Sequence, residues 1–184
     1  MPDYVIGDVH ANPKALQALC ELINLQPTDH LYFIGDLVGK GPDSWGVLKM
    51  LTTSLQHQHT LLIGNHDLHL LAKVCKAPND YTEAQHQLLH VYQKGHLALW
   101  HTQSQSLLAH AGVWPSWTID QTLDIAKETL ETIFQDIQAG TFHLHLYLEI
   151  LVYLWFSQFF LNVFLNIFQI IFSSVSVMFL KSFK

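Results

Sequence analysis

Short apolar runs alternate with longer stretches of helical periodicity along the N-terminal part of the chain. Three β-rich runs each end at a glycine: residues 4–6, 30–34 and 60–63. The dipeptide Asn12-Pro13 supplies a helix cap and a first-turn proline, and apolar residues follow it at helical spacing. Similar spacing predicts a second helix over 44–55 and a third that ends at about Val74. This alternation predicts an α/β fold with a βαβαβ core and a largely parallel sheet.

The pattern changes after the third predicted helix. Thr82 can cap a further helix that reaches Tyr92. Two short apolar runs, 97–100 and 107–109, predict the strands of a hairpin. An amphipathic helix is predicted over 120–137.

Composition narrows the class of protein. The chain has 184 residues and a net charge of −6, which fits one domain and gives no electrostatic reason to expect a nucleic-acid partner. Cys20 and Cys75 do not make a disulfide framework, and no signal segment opens the chain. We therefore expect a cytoplasmic protein with reduced thiols. All nine basic residues are lysines, so no arginine is available to bind phosphate with a bidentate fork.

A change of composition near residue 141 divides the chain. Fourteen of the fifteen acidic residues precede it, and Glu149 is the exception. In the segment 144–184, 25 of 41 residues are Phe, Leu, Ile, Val or Met. We therefore expect a domain over 1–142 and a separate hydrophobic tail over 143–184.

Two interpretations of this tail remain open. It is long enough for a membrane anchor, since about 20 apolar residues span a bilayer, and any membrane association would go through it. Against an anchor, polar residues such as Asn162, Asn166 and Gln169 are scattered through the tail without sharing a face. The five dominant residue types all have thymine at the second codon position. Translation of T-rich DNA in a shifted frame therefore explains the tail better.

Polar side chains follow several of the predicted strands. They are Asp8 and His10 after the first, Asp36 after the second, Asn65 after the third and His110 after the hairpin. Because the carboxyl ends of parallel strands lie at one edge of a sheet, we expect these residues to share a pocket. Carboxylate, amide and imidazole ligands suit Mn, Fe, Zn or Co better than Ca. One carboxylate between two such ions would hold them about 3.5–4 Å apart, a spacing that suits phosphoryl chemistry.

The motifs GDVH, GDLV…GP, GNHD and HAG, in this order, resemble those of the calcineurin-like metallophosphoesterases. The longer stretches GDLVGKGPDS, GNHDLHLL and AHAGVWPSW are similar to the symmetrical bis(5′-nucleosyl)-tetraphosphatases within that family. The resemblance covers residues 1 to about 142 and implies the N-terminal half of a metallophosphoesterase sandwich, with the second half missing. It also implies hydrolysis of a dinucleoside polyphosphate, diadenosine tetraphosphate, to two ADP.

The resemblance implies a role for each of the five polar residues. Asp8 and His10 would bind one divalent ion, and Asp36 would bridge it to a second. Asn65 and His110 would bind the second ion. Mn²⁺ or Co²⁺ is expected at both positions, with Fe or Zn as alternatives.

Three further residues complete the implied site. His66 stands where the family has the residue that protonates the leaving phosphate oxygen, and Asp67 beside it is expected to be catalytic as well. Lys40 stands where the family has an arginine that binds substrate phosphate. His69 could also line the site, although packing elsewhere would explain it equally well.

The chain departs from the family pattern at several points. Ala11 replaces a glycine, which matters if that position needs a positive φ. Lys40 replaces the arginine, and no Gly-His-Trp segment supplies the family's further histidine ligand. We therefore expect a weaker second metal position and impaired hydrolysis. A general phosphodiesterase or protein phosphatase of the same superfamily, and an inactive membrane-associated remnant, are the alternative functions.

Overall fold

Three parallel strands form the sheet at the start of the domain. The computed structural model describes residues 2–56 and 58–142 of the chain. The strands are β1 (Asp3–Ile6), β2 (His30–Ile34) and β3 (His59–Leu62). They pair in the order β1-β2-β3, and both pairings are parallel, with Phe33 beside Leu61 in the second. The predicted parallel core is confirmed.

A helix follows each strand of this sheet. The helices are α1 (Pro13–Leu22), α2 (Ser44–Thr52) and α3 (Asn65–Lys76). As predicted, α1 begins after Asn12, whose side-chain oxygen accepts a hydrogen bond from Ala15 N at 3.1 Å. Asp43 caps α2 in the same way and accepts from Gly46 N at 2.8 Å. Helix α2 ends earlier than predicted because the backbone leaves helical geometry at Thr53.

A helical segment, a hairpin and a long helix follow α3. They are a 3-10 turn (Pro78–Asp80), α4 (Glu83–Leu88), a 3-10 helix (Leu89–Lys94), β4 (Ala98–His101), β5 (Ser106–Ala109) and α5 (Ile119–Ala139). The single helix predicted after Thr82 is therefore divided, since it tightens into 3-10 geometry at Leu89. The antiparallel hairpin and the long amphipathic helix are confirmed.

The hairpin lies against one face of the parallel sheet. The rings of Tyr32 in β2 and His101 in β4 are 4.9 Å apart, and His101 Nε2 is 3.0 Å from Asp3 Oδ2. The opposite face of the sheet carries Leu31 and Phe33, both fully buried. Helix α5 packs on β4 and contacts α3. The ends of β1, β2, β3 and β5 consequently meet at one edge.

The hydrophobic tail predicted over 143–184 lies outside the described residues. Phe142, the last described residue, is buried in the core. Across residues 2–56 and 58–142, none of the helices has both the length and the apolar character that crossing a membrane requires.

Candidate metal centre

Backbone hydrogen bonds hold the loops after β1 and β2 together. Val9 N and His10 N both donate to the carbonyl of Asp36, at 3.1 and 2.9 Å. Ala11 N donates to the carbonyl of Leu37 at 2.8 Å. These bonds place the side chains of the first loop beside those of the second, as the shared sheet edge predicts.

Several residues of these loops have a left-handed backbone although they are not glycines. The angle φ is +45° at His10, +57° at Ala11, +53° at Asp36 and +56° at Lys40. This conformation costs an L-amino acid roughly 1–2 kcal/mol, and it persists where the surrounding contacts impose it. Position 11 does require a positive φ, so its alanine occupies a place better suited to glycine.

The carboxylate of Asp36 lies at the centre of the candidate site, with its side chain only 5% exposed. Its Oδ2 is 4.0 Å from His10 Nε2 and 4.0 Å from His66 Nε2. Its Oδ1 is 3.5 Å from His110 Nε2 and accepts a hydrogen bond from His66 N at 2.9 Å. The two oxygens therefore face two groups of donors, as a bridging ligand requires.

The first donor group surrounds Asp36 Oδ2. Asp8 Oδ2 is 3.2 Å from His10 Nε2, and the Asp8 side chain is 51% exposed. The ligand atoms of His10, Asp36 and His66 all lie within 4.8 Å of one another. His10 Nδ1 is buried and has no hydrogen-bond partner among the described atoms. Among the described atoms, His10 therefore has no hydrogen bond on the ring nitrogen whose partner usually orients a metal-binding imidazole.

The second donor group surrounds Asp36 Oδ1. His110 Nε2 is 3.3 Å from Asn65 Oδ1. On the other side of the ring, His110 Nδ1 lies 2.7 Å from the carbonyl oxygen of Ile34. A carbonyl can only accept, so Nδ1 donates this bond, and Nε2 is the ring nitrogen that faces Asp36 and Asn65. Imidazoles that bind metals are usually oriented by such a bond.

These spacings fit divalent ions. Two ligand atoms about 2.1 Å from one ion lie about 3.0–4.2 Å apart, depending on the coordination geometry. The Asp8–His10 and Asn65–His110 separations of 3.2 and 3.3 Å fall in that range. Gly35 makes room for this arrangement, since a Cβ there would lie 2.5 Å from His110 Nδ1. The separation within each donor pair therefore suits a divalent ion with mixed nitrogen and oxygen ligands, and Asp8 lies outside the cluster that His10, Asp36 and His66 form.

Lys40 and His66 both reach the first donor group. Lys40 Nζ is 3.3 Å from His10 Nε2, and the His10 and His66 rings meet edge to face with centroids 5.1 Å apart. Burial lowers the pKa of His66 below 6.5, and the nearby Lys40 adds to this effect while Asp36 opposes it. Most His66 is consequently neutral near pH 7, and it must gain a proton before it can act as an acid. His69 is exposed, and its ring centroid is 6.0 Å from that of His66.

Asp67 has very different surroundings from its neighbour His66. Its side chain is fully buried, and its carboxylate accepts hydrogen bonds from Leu37 N, Gly64 N and the Tyr92 hydroxyl. Burial raises the pKa of Asp67 to about 6. The catalytic role expected for Asp67 stays a prediction, and these contacts favour a positioning role instead. The sequence did not predict Tyr92 as a residue of the site, because its only signal was its position in the apolar pattern of a predicted helix.

Comparisons with known proteins agree with this geometry. The profile of the calcineurin-like phosphoesterase family matches residues 1–169. A symmetrical bis(5′-nucleosyl)-tetraphosphatase of Legionella pneumophila strain Philadelphia 1 is 35% identical over 159 residues, covering 80% of this chain and 57% of that protein. A protein of the same name from Nitrosomonas europaea is 33% identical over 156 residues, covering 80% and 58%. A crystal structure assigned provisionally as a diadenosine tetraphosphatase superposes with a TM-score of 0.51 at 29% identity, over 64% of this chain and 53% of that one.

The chain belongs to the calcineurin-like phosphoesterase family, a class of hydrolases whose sites use two divalent metal ions. Within that class, its curated relatives are symmetrical bis(5′-nucleosyl)-tetraphosphatases, so the resemblance inferred from the four motifs is confirmed. The chain spans little more than half the length of those relatives.

Proposed function

We propose that this chain hydrolyses dinucleoside polyphosphates with two divalent ions, and that it splits diadenosine tetraphosphate into two ADP. One observation carries the proposal: the two oxygens of buried Asp36 face separate donor groups, Oδ2 toward His10 and Oδ1 toward His110. The names of the curated relatives supply the substrate class. Mn²⁺ or Co²⁺ is the expected ion, with Fe or Zn as alternatives, because mixed oxygen and nitrogen ligands suit these metals.

Each donor group would hold one ion. Asp8, His10 and one oxygen of Asp36 would hold the first. Asn65, His110 and the other oxygen of Asp36 would hold the second. A pair of ions bound in this way supplies a water of lowered pKa and neutralises charge on the phosphoryl oxygens.

Lys40 and His66 would act on the substrate. The Lys40 ammonium, 3.3 Å from His10 Nε2, lies where it can bind a phosphoryl oxygen beside the first donor group. In the reaction, the oxygen of water bonds to a phosphorus while the bond from that phosphorus to its bridging oxygen breaks. His66 donates a proton to the departing oxygen, and a proton from the attacking water passes to solvent.

We expect slow turnover. Lys40 offers a point charge where an arginine would bind phosphate with two parallel hydrogen bonds. In the described part of the chain, the second position has three candidate ligands: Asp36, Asn65 and His110. Both features weaken the positioning and charge neutralisation on which phosphoryl transfer depends.

The test is release of ADP from diadenosine tetraphosphate by the purified chain with Mn²⁺ or Co²⁺, followed by ion-exchange chromatography. We expect ADP as the product, at a rate that EDTA and Asp36→Asn abolish. The matched control His90→Gln, at an exposed position, should leave the rate unchanged. Formation of ATP and AMP would contradict symmetrical cleavage, and activity that survives EDTA would contradict the role of the ions. A phosphopeptide and bis-nitrophenyl phosphate, assayed in parallel, separate the alternative phosphatase and phosphodiesterase functions.

A further inference from the structure

A single buried carboxylate connects three separate segments near the candidate metal centre. Asp67 Oδ1 accepts hydrogen bonds from Leu37 N at 3.1 Å and from Val38 N at 3.3 Å. The same oxygen accepts from the Tyr92 hydroxyl at 2.9 Å, and Oδ2 accepts from Gly64 N at 2.9 Å. We call this set of bonds the Asp67 clamp.

The clamp holds the backbone that presents two of the candidate ligands. Leu37 and Val38 directly follow Asp36, and Gly64 directly precedes Asn65. Asp67 itself lies in the first turn of α3, so its own backbone is fixed by the helix. The loops after β2 and β3 therefore share one rigid anchor.

Tyr92 contributes the one side-chain hydroxyl in the clamp. It lies in the 3-10 helix Leu89–Lys94, it is fully buried, and its hydroxyl is directed to Asp67 Oδ1. Burial disfavours a charged carboxylate at Asp67, whereas the bonds from Gly64 and Tyr92 favour it. Loss of the hydroxyl would remove one of the three donors to this buried oxygen and so weaken the stabilisation of the carboxylate. The carboxylate would then hold the two loops less firmly.

We propose that Tyr92 is a positioning residue for the metal centre and that it acts through Asp67. The proposal rests on the two-ion function, because what Tyr92 secures is the relative position of Asp36 and Asn65. Through this hydroxyl, the segment before the hairpin controls how well the loops after β2 and β3 are ordered.

The first experiment follows hydrogen exchange of the metal-free chain by NMR. Tyr92→Phe removes the hydroxyl and keeps the ring. We expect the amides of Leu37, Val38 and Gly64 to exchange at least about tenfold faster in this variant. The reason is that the Asp67 carboxylate, which accepts their hydrogen bonds, is held less firmly without the Tyr92 hydroxyl. The amide of Phe33, in the central strand, should keep its wild-type rate. Unchanged exchange at the three clamp amides, or equal acceleration throughout the sheet, would overturn the proposal.

The second experiment measures Mn²⁺ binding by calorimetry. Tyr92→Phe should weaken binding about tenfold, at the low end of the effect of losing a group that orients ligands. Ile133→Val, which removes a buried methyl group in α5, is the control for general destabilisation and should stay within about twofold of wild type. Equal weakening in both variants would overturn the proposal. Failure of the wild-type chain to bind Mn²⁺ would instead contradict the proposed function, and hydrogen exchange would still decide on the clamp.

Discussion

The candidate metal centre has an open side and a clamped side, and the two are held in different ways. We define the open side as residues 7–11, after β1, and the clamped side as residues 35–38, 64–65 and 110. On the open side, Asp8 is 51% exposed and the buried Nδ1 of His10 has no partner among the described atoms. Backbone bonds to the neighbouring loop hold this segment, and the side-chain contacts of His10 with Asp8 and Lys40 go through its Nε2.

The clamped side differs at each of these points. Asp36 is 5% exposed, and its backbone neighbours are bonded to buried Asp67. The ring of His110 is oriented by the bond from its Nδ1 to the carbonyl of Ile34. A ligand that is already oriented loses less freedom when it binds an ion.

This difference changes the expected ranking of the two metal positions. Each position has three candidate ligands among the described residues, and the family pattern makes the second the weaker one, since no Gly-His-Trp segment of this sequence adds a histidine to Asp36, Asn65 and His110. The geometry favours the opposite ranking, because His110 is 15% exposed and oriented by its bond to Ile34, whereas Asp8 at the first position is 51% exposed. We therefore expect the second position to bind its ion first.

The largest expected effect is on Mn²⁺ affinity, when one histidine ligand is removed from the clamped side or, in a separate variant, from the open side. His110→Gln should weaken the tighter of two Mn²⁺-binding events by about 100-fold, because it removes an oriented ligand. His10→Gln should change that event by less than about tenfold and should weaken mainly the second. Two-site calorimetric titration gives both constants, with His90→Gln as the control. Loss of the tighter event in His10→Gln would reverse the comparison.

The next largest effect is the difference in stability lost when Gly35, on the clamped side, or Gly7, on the open side, is replaced by alanine. At Gly35, φ is +97° and an added Cβ would lie 2.5 Å from His110 Nδ1. Gly35→Ala should therefore lower the free energy of unfolding by about 2 kcal/mol. Among the described residues, no atom lies within 4 Å of a Cβ at Gly7, so Gly7→Ala should change this free energy by less than about 0.5 kcal/mol. Urea denaturation measures both, and equal costs would show that the clamped side is no more constrained.

Ala11→Gly tests backbone strain on the open side. Relief of the left-handed alanine gains about 1 kcal/mol, and loss of its buried methyl group costs about 0.8 kcal/mol, so stability should hardly change. Ala126→Gly is the matched control, since Ala126 is also buried but lies within α5. It should cost about 1–2 kcal/mol, because the helix gains nothing from glycine. Similar losses in the two variants, measured by urea denaturation, would show that position 11 stores no strain.

The smallest effect concerns His59, a partly buried residue at the start of the strand that leads to the clamped side. Burial lowers the pKa of His59, at the start of β3, below its ordinary 6.5. The unfolded chain therefore takes up this proton more readily, and stability that is present at higher pH is lost as the pH falls below about 6.5. Between about pH 7.5 and 5.5, wild type should lose more unfolding free energy than His59→Gln. Parallel stability curves for the two proteins would contradict this assignment.

Local signals explain why much of the fold was predictable. The side chains of Asn12 and Asp43 cap helices where the sequence places them. A helix between consecutive strands favours parallel pairing, and parallel pairing brings the strand ends together. The convergence of Asp36, Asn65 and His110 follows from this topology.

The missed features depend on contacts between distant parts of the chain. The hydrogen bond from Tyr92 to Asp67 joins residues 25 positions apart, and no periodicity in the sequence predicts it. The left-handed backbone at His10 and Asp36 could not be predicted from the sequence either, because neither residue is a glycine. Tertiary bonds between the two loops impose that conformation against local preference.

The central claim is that Asp36 bridges two ions, and equilibrium dialysis of the purified chain against Mn²⁺ tests it most directly. The matched control is Asp29→Asn, which replaces a carboxylate that is also 5% or less exposed and accepts a hydrogen bond from Gln26 N. We expect two ions per chain in wild type and in Asp29→Asn, and loss of at least one in Asp36→Asn. A wild-type chain that binds fewer than two ions, or an Asp36→Asn variant that binds two with unchanged affinity, would contradict the account.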